Sequence, residues 1–217
     1  MAARSSREAS LAVARNIISY VGTVPEGTIV DVGCGDGALL HLLEGDRIGI
    51  SPSEAEVSKL RTLWPDVRFL VEKAQQLQFQ DNCISMLFCN SVLLTLETAE
   101  EARLAIAQFS RVCRPGALLF LGEIPTEPVR SEYQHDSVTT WLWSLLTRGG
   151  PKNFLAGLRD VVKAATSETP LLFYPERWFY CERDQFISLC EALGLTLIRD
   201  RTTPHVNFRR DYLFSKK

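Results

Sequence analysis

The 217-residue sequence contains no run of about 18 apolar residues, the length a membrane-spanning helix needs. Its opening, MAARSSREAS, lacks the apolar core of a signal peptide, so a cytoplasmic protein is expected. It has no excess of positive charge either. With 24 basic against 26 acidic residues and a pI near 6.0, no overall field draws it to nucleic acid. Six cysteines are present, Cys34, Cys83, Cys89, Cys113, Cys181 and Cys190, but no C-x-x-C pair. That spacing argues against a structural zinc site and fits reduced thiols in a core. No metal is expected.

The chain does hold an unusual concentration of glycine. Thr28 to Glu44 reads TIVDVGCGDGALLHLLE: a buried strand over Thr28 to Val32, a turn through Gly33, Gly35 and Gly37, and a helix ending near Gly45. Glycines at alternate positions suit a backbone that needs positive φ or close approach by another group, so the turn is expected to wrap a ligand. Cys34 lies inside this turn, but no histidine adjoins it in sequence, which disfavours a catalytic nucleophile. Gly33, Gly35 and Ala38 satisfy the G-x-G-x-x-G/A pattern of dinucleotide-binding folds. Asp31, Gly33, Gly35 and Gly37 also make D-x-G-x-G-x-G, which uses the acid before the turn and all three glycines.

This second pattern resembles motif I of the class I S-adenosylmethionine-dependent methyltransferases. The resemblance implies that the glycines close on the methionine part of the cofactor and that Asp31 lies near its ammonium group. A second likeness is RVCRPGALLFLGEIP, similar to the helix, Arg, Pro-Gly and strand cluster that many of these enzymes carry after the fourth strand. Together the likenesses place Asp31, Gly33, Cys34, Gly35, Gly37, Ser51, Gln75, Cys89 and Asn90 in the cofactor site. Three positions where the family usually carries acids hold Ser51, Lys73 and Ser85 instead. Ser51 stands where a carboxylate commonly accepts bonds from a ribose, and Gln75 is the neighbour able to bond an adenine edge.

Taken in order, Ser5 to Glu8 forms a capping box and apolar residues then recur at helical spacing to Val21. Arg47 to Ile50 should form the second strand. Ser51 is expected to cap the next helix, with Pro52 at its first position, Glu54 completing a capping box and Pro65 ending it. Val67 to Val71 and Cys83 to Cys89 give further strands. Thr98 to Glu101 caps a helix to Cys113, and Pro115-Gly116 breaks it before a strand over Ala117 to Leu121. A helix over Arg183 to Leu193 and strands over Leu195 to Ile198 and Asp211 to Ser215 close the chain. The last strand, reached without a crossover helix, should run antiparallel.

Residues 125–180 depart from this alternation and are expected to form a helical cap, with short helices over Val138 to Leu146 and Phe154 to Ala165. Tyr133, His135, Trp141, Trp143, Tyr174 and Trp178 would give it aromatic walls, or else form a small satellite core. The fold expected is a single α/β domain over 1–217 with a doubly wound, mostly parallel seven-stranded sheet and a final antiparallel strand. The resemblance implies methyl transfer from S-adenosylmethionine to a small or medium-sized acceptor, a metabolite or a glycan. The ending RRDYLFSKK is similar to those of bacterial small-molecule and glycan methyltransferases. Glu123, His135 and His205 are the candidate general bases, in that order. A non-catalytic relative would explain the absent acids, and an NADP-dependent reductase would explain an uncharged Ser51.

Overall fold

A computed structural model describes residues 7–96, 98–126, 179–204 and 208–217, and within 127–178 only 139, 142, 143, 146, 151, 154, 155, 157–159, 161 and 162. The chain divides into two compact units, residues 1–3 with 128–178 and residues 4–127 with 179–217. The second unit carries the sheet. Most of the expected cap, including Tyr133, His135, Trp141, Tyr174 and Trp178, lies outside the described residues, as does His205. Trp143 is described, and it is exposed.

The elements of the sheet unit follow in order: α1 (Arg7–Val21), β1 (Ile29–Val32), α2 (Ala38–His41), β2 (Arg47–Ser51), α3 (Glu54–Leu63), β3 (Arg68–Val71), β4 (Ile84–Asn90), a single 3-10 turn (Leu93–Thr95), α4 (Ala99–Val112), β5 (Cys113–Pro125), α5 (Arg183–Ala192), β6 (Leu195–Thr202) and β7 (Arg209–Lys216). Seven strands form one sheet in the order β3-β2-β1-β4-β5-β7-β6. All neighbouring pairs from β3 to β5 are parallel. β7 inserts antiparallel between β5 and the edge strand β6. Strand order reverses direction at β1 and β4, and in open α/β sheets the crevice at such a switch point is where ligands bind.

The strands are continuous apolar runs because both sheet faces are covered. Alternate side chains enter opposite layers: Val30, Ile50, Leu87, Cys89 and Leu121 join α4 and α5, while Ile29, Met86, Phe88 and Phe120 join α1, α2 and α3. Phe109 of α4 and Phe186 of α5 are fully buried, and burying a side chain of that size is worth about 1.5–3 kcal/mol.

Three local expectations need correction. The helix after the glycine turn does not run towards Gly45 but stops at His41. Arg47 explains the early stop: its Nη1 donates to the carbonyls of Leu40 and Leu43 at 3.1 and 2.8 Å, capping the carbonyls a longer helix would have used itself. The cap of α3 is Ser53, not Ser51, with the Ser53 hydroxyl accepting from the Glu56 amide at 3.3 Å. β5 begins at Cys113 rather than Ala117, because Gly116 takes up the bend with φ +80° and Pro115 is carried within the strand. Thr98 caps α4 as expected, its hydroxyl accepting from the Glu101 amide at 3.1 Å.

Candidate functional site

The C-terminal ends of β1 and β2 and the segment after β4 meet at the glycine turn. The amides of Gly33 and Cys34 both donate to the Ile50 carbonyl, at 2.8 and 3.1 Å, which ties the turn to the end of β2. All three glycines adopt left-handed φ, +75°, +54° and +76°, a region that disfavours residues with a Cβ. Their surroundings differ. A Cβ on Gly33 would run into Val92 Cγ2, and one on Gly37 would lie 2.8 Å from the Trp64 ring, whereas Gly35 has nothing within 4 Å. Two of the glycines therefore serve packing, and Gly35 is the one that leaves the backbone open to a ligand.

Trp64, at the C-terminal end of α3, braces this turn. Its indole Nε1 donates to the Asp36 carbonyl at 2.8 Å, its ring stacks on His41 at 3.9 Å, and the Arg7 guanidinium of α1 lies 4.6 Å from its centroid. Periodicity offered no signal for this role, since Trp64 reads simply as the last residue before Pro65. Asp36 was equally silent. Its carboxylate accepts from the Ala38 amide at 3.2 Å, so an acid already holds the start of α2, where a dinucleotide would lodge its pyrophosphate.

Asp31 closes the turn from the β1 side. It is 5% exposed, and its carboxylate accepts no hydrogen bond among the described residues. Burial, reinforced by the nearby charge of Asp36, raises its pKa from 3.8 to about 7. An acid left so is costly unless a cationic group completes the site. Cys34 is buried beside it, and burial together with the charges of Asp31 and Glu56 pushes its thiol up, which suits packing and not nucleophilic attack. Cys89 is buried in β4.

At the end of β2, Ser51 is 2% exposed. Its hydroxyl accepts from the Ser53 amide at 3.1 Å and donates to Glu56 Oε2 at 2.7 Å. Gln75 is half-buried after β3 and Lys73 is exposed. Ser85 is buried against the start of β1, where its amide donates to the Thr28 carbonyl, at the opposite end of the strands from the glycine turn.

The β4 and β5 ends carry two residues in left-handed backbone, Ser91 at φ +61° and Glu123 at φ +59°. Such conformations cost on the order of 1–3 kcal/mol each and persist where surrounding bonds over-determine them. Here the bonds are explicit. A bulge between Leu121 and Ile124 frees the Glu123 amide from the ladder, and Asp211 takes it at 3.1 Å. Asp211 also accepts from Thr203 and Arg201. Glu123 Oε2 accepts from Ser91 Oγ and from Arg209 Nη1, both at 2.6 Å. Asn90 pairs in register with Gly122, the residue before Glu123. Among the described residues no cluster of histidine, cysteine and acids could hold a metal, and no helix is long and apolar enough to cross a membrane.

Residues 30–121 match the model of a family described as a methyltransferase domain. No curated protein matches the sequence significantly. The chain is similar in structure to a Pyrococcus horikoshii protein, with TM-score 0.65 and 16% identity, covering 99% of this chain and 93% of that one. It is also similar to a Synechocystis magnesium protoporphyrin IX methyltransferase with bound S-adenosylhomocysteine, with TM-score 0.61, 15% identity and coverage of 97% and 84%. A Methanosarcina mazei S-adenosylmethionine-dependent methyltransferase gives TM-score 0.62 and 17% identity, with coverage of 92% and 96%. At these identities the likenesses to solved structures speak to the fold.

Proposed function

Because residues 30–121 match the model of a methyltransferase-domain family and carry the D-x-G-x-G-x-G turn, we propose that the chain transfers a methyl group from S-adenosylmethionine to a small or medium-sized acceptor, a metabolite or a glycan. The observation that carries this reading is the pairing of a buried carboxylate, Asp31, which accepts no hydrogen bond among the described residues, with an open glycine, Gly35, on one turn. A cationic amino-acid group brought against that turn would offset the desolvation of Asp31, which a pyrophosphate would aggravate. When bound, S-adenosylmethionine supplies a methyl group already made electrophilic by its sulfonium.

The protein is then left to bind, orient and exclude water, effects worth about 7–11 kcal/mol when reacting groups are well aligned. Gly33 and Gly37 hold the turn in shape through Val92 and Trp64. We assign Asn90 at the end of β4 to the cofactor side, with Cys89 packed in the core beneath it, and Gln75 to the adenine edge. We assign Glu123 to the acceptor side, since the Ser91 and Arg209 bonds fix its carboxylate at the end of β5. There it can take the proton of a hydroxyl acceptor. The six cysteines are free thiols, which fits placement in the cytoplasm.

S-adenosylhomocysteine should accumulate when the protein is given S-adenosylmethionine and a panel of hydroxyl, amine and thiol acceptors. For a hydroxyl acceptor, Glu123→Gln should slow turnover by about 10²-fold or more, the usual worth of a placed general base, with the KM for S-adenosylmethionine unchanged. Undiminished turnover in the variant would remove Glu123 from the chemistry. Binding of the cofactor with no turnover on any acceptor class would make the chain a binding module.

A further inference from the structure

We propose that Glu56 of α3 provides the carboxylate that receives the ribose hydroxyls of the adenosyl group, oriented for that task by Ser51. This rests on the cofactor reading above. Nucleoside sites at the end of a second strand commonly use an acid to accept bonds from the ribose, and β2 ends here in a serine. Both hydrogen-bonding capacities of that serine are already engaged. Its oxygen accepts from the Ser53 amide at 3.1 Å and its proton goes to Glu56 Oε2 at 2.7 Å, so Ser51 has no proton left to offer a ligand.

The same two bonds explain why Glu56 faces the site. In an ordinary capping box the glutamate three residues into the helix folds back onto the amide of the capping residue. Ser53 caps α3 and Glu56 is that glutamate, but the Ser53 amide is taken by Ser51. The Glu56 side chain is thereby released from the box and turned to the end of β2. Its charge is felt by the Cys34 thiol within the glycine turn. Oε1 accepts no hydrogen bond among the described residues. A buried hydroxyl thus pins one oxygen of an otherwise exposed carboxylate, leaving the other open, and a vicinal diol is a matching pair of donors.

Two consequences distinguish this from a merely capped helix. A 2′-phosphate would meet the Glu56 charge, so an NADP-type ligand is disfavoured even though Ser51 is neutral. Ser51→Asp, which in a site short of an acid would strengthen ribose binding, would here set a second carboxylate against Glu56 and weaken it.

The test is calorimetric titration of native protein and Glu56→Gln with two probes, S-adenosylhomocysteine and its 2′,3′-dideoxy analogue. Glu56 is exposed and the amide keeps its length, so circular dichroism and melting should change little. Loss of a charge-assisted bond should weaken S-adenosylhomocysteine about tenfold to a hundredfold, while the dideoxy analogue binds native protein and variant alike. Ser51→Ala should shift S-adenosylhomocysteine in the same direction by less. Equal S-adenosylhomocysteine affinity in native protein and Glu56→Gln, or equal losses for both probes, would overturn the assignment alone. A native protein that binds neither probe would overturn the cofactor reading beneath it as well.

Discussion

Gly33→Val is expected to prevent folding, whereas Gly35→Ala is expected to fold and lose the cofactor. Gly33 stands at φ +75° and a Cβ there meets Val92 Cγ2, a side chain at the start of the turn that follows β4. A residue with a Cβ in left-handed backbone costs roughly 1–2 kcal/mol, β-branching adds to it, and overpacking of the contact adds about 1–3 kcal/mol more. The sum approaches the roughly 5–15 kcal/mol that holds a whole domain together. Gly35 has nothing within 4 Å, so alanine there carries only the backbone term. Its methyl would occupy the open side of the turn. Urea denaturation of both variants, followed by S-adenosylhomocysteine titration of the folded one, separates the two roles. Native-like stability in Gly33→Val, or undiminished binding in Gly35→Ala, would contradict them.

The second large effect concerns Asp31→Asn, which should stabilise the ligand-free protein and cripple binding. Burial raises the carboxyl of the folded chain from 3.8 to about 7, so the folded state binds more protons than the unfolded one between these values. Native stability should therefore fall as pH rises from about 4 to about 7, with the full penalty present above and none below. At 1.36 kcal/mol per pKa unit the penalty at pH 8 is on the order of 4 kcal/mol. Asparagine carries no charge to desolvate, so its stability curve should lack this slope and exceed the native one most at pH 8. The same variant should bind S-adenosylhomocysteine about a hundredfold more weakly, as removal of one partner from a buried charged pair does. Denaturation curves at pH 5 and pH 8 check the first half. An unchanged pH slope would mean that Asp31 does not bear this burden.

Much of the fold could be read from residue patterns because the patterns are redundant there. β4 and the middle of β5 are apolar on both faces, Thr98 caps α4, and a last strand without a crossover helix had to enter antiparallel, as β7 does. Boundaries failed where a single long side chain intervened. Arg47 stops α2 by bonding carbonyls four and seven residues back, which no periodicity in that helix encodes. The strand-turn-helix geometry around Asp31 and the three glycines was legible because their spacing is constrained by one turn. The Ser51–Glu56 bond was not, because the two serines ahead of Glu56 compete for one role and only the hydrogen bonds show that Ser53 caps while Ser51 holds the glutamate. Trp64 looked like a helix terminus until its indole was seen against Asp36. The strained backbone at Ser91 and Glu123 has no sequence signature, since neither residue type favours positive φ.

The central claim is that the turn from Asp31 to Gly37 holds the amino-acid end of S-adenosylmethionine and not a dinucleotide. Calorimetric titration of the native protein with S-adenosylhomocysteine and, separately, with NADPH tests it most directly. At pH 6, where Asp31 is partly protonated, binding of S-adenosylhomocysteine should release protons from the protein, since the bound ammonium favours the ionised acid; the observed heat should then differ between buffers of different ionisation enthalpy. NADPH should give no binding heat. Binding of NADPH without S-adenosylhomocysteine, or S-adenosylhomocysteine binding with no proton release at pH 6, would contradict the account.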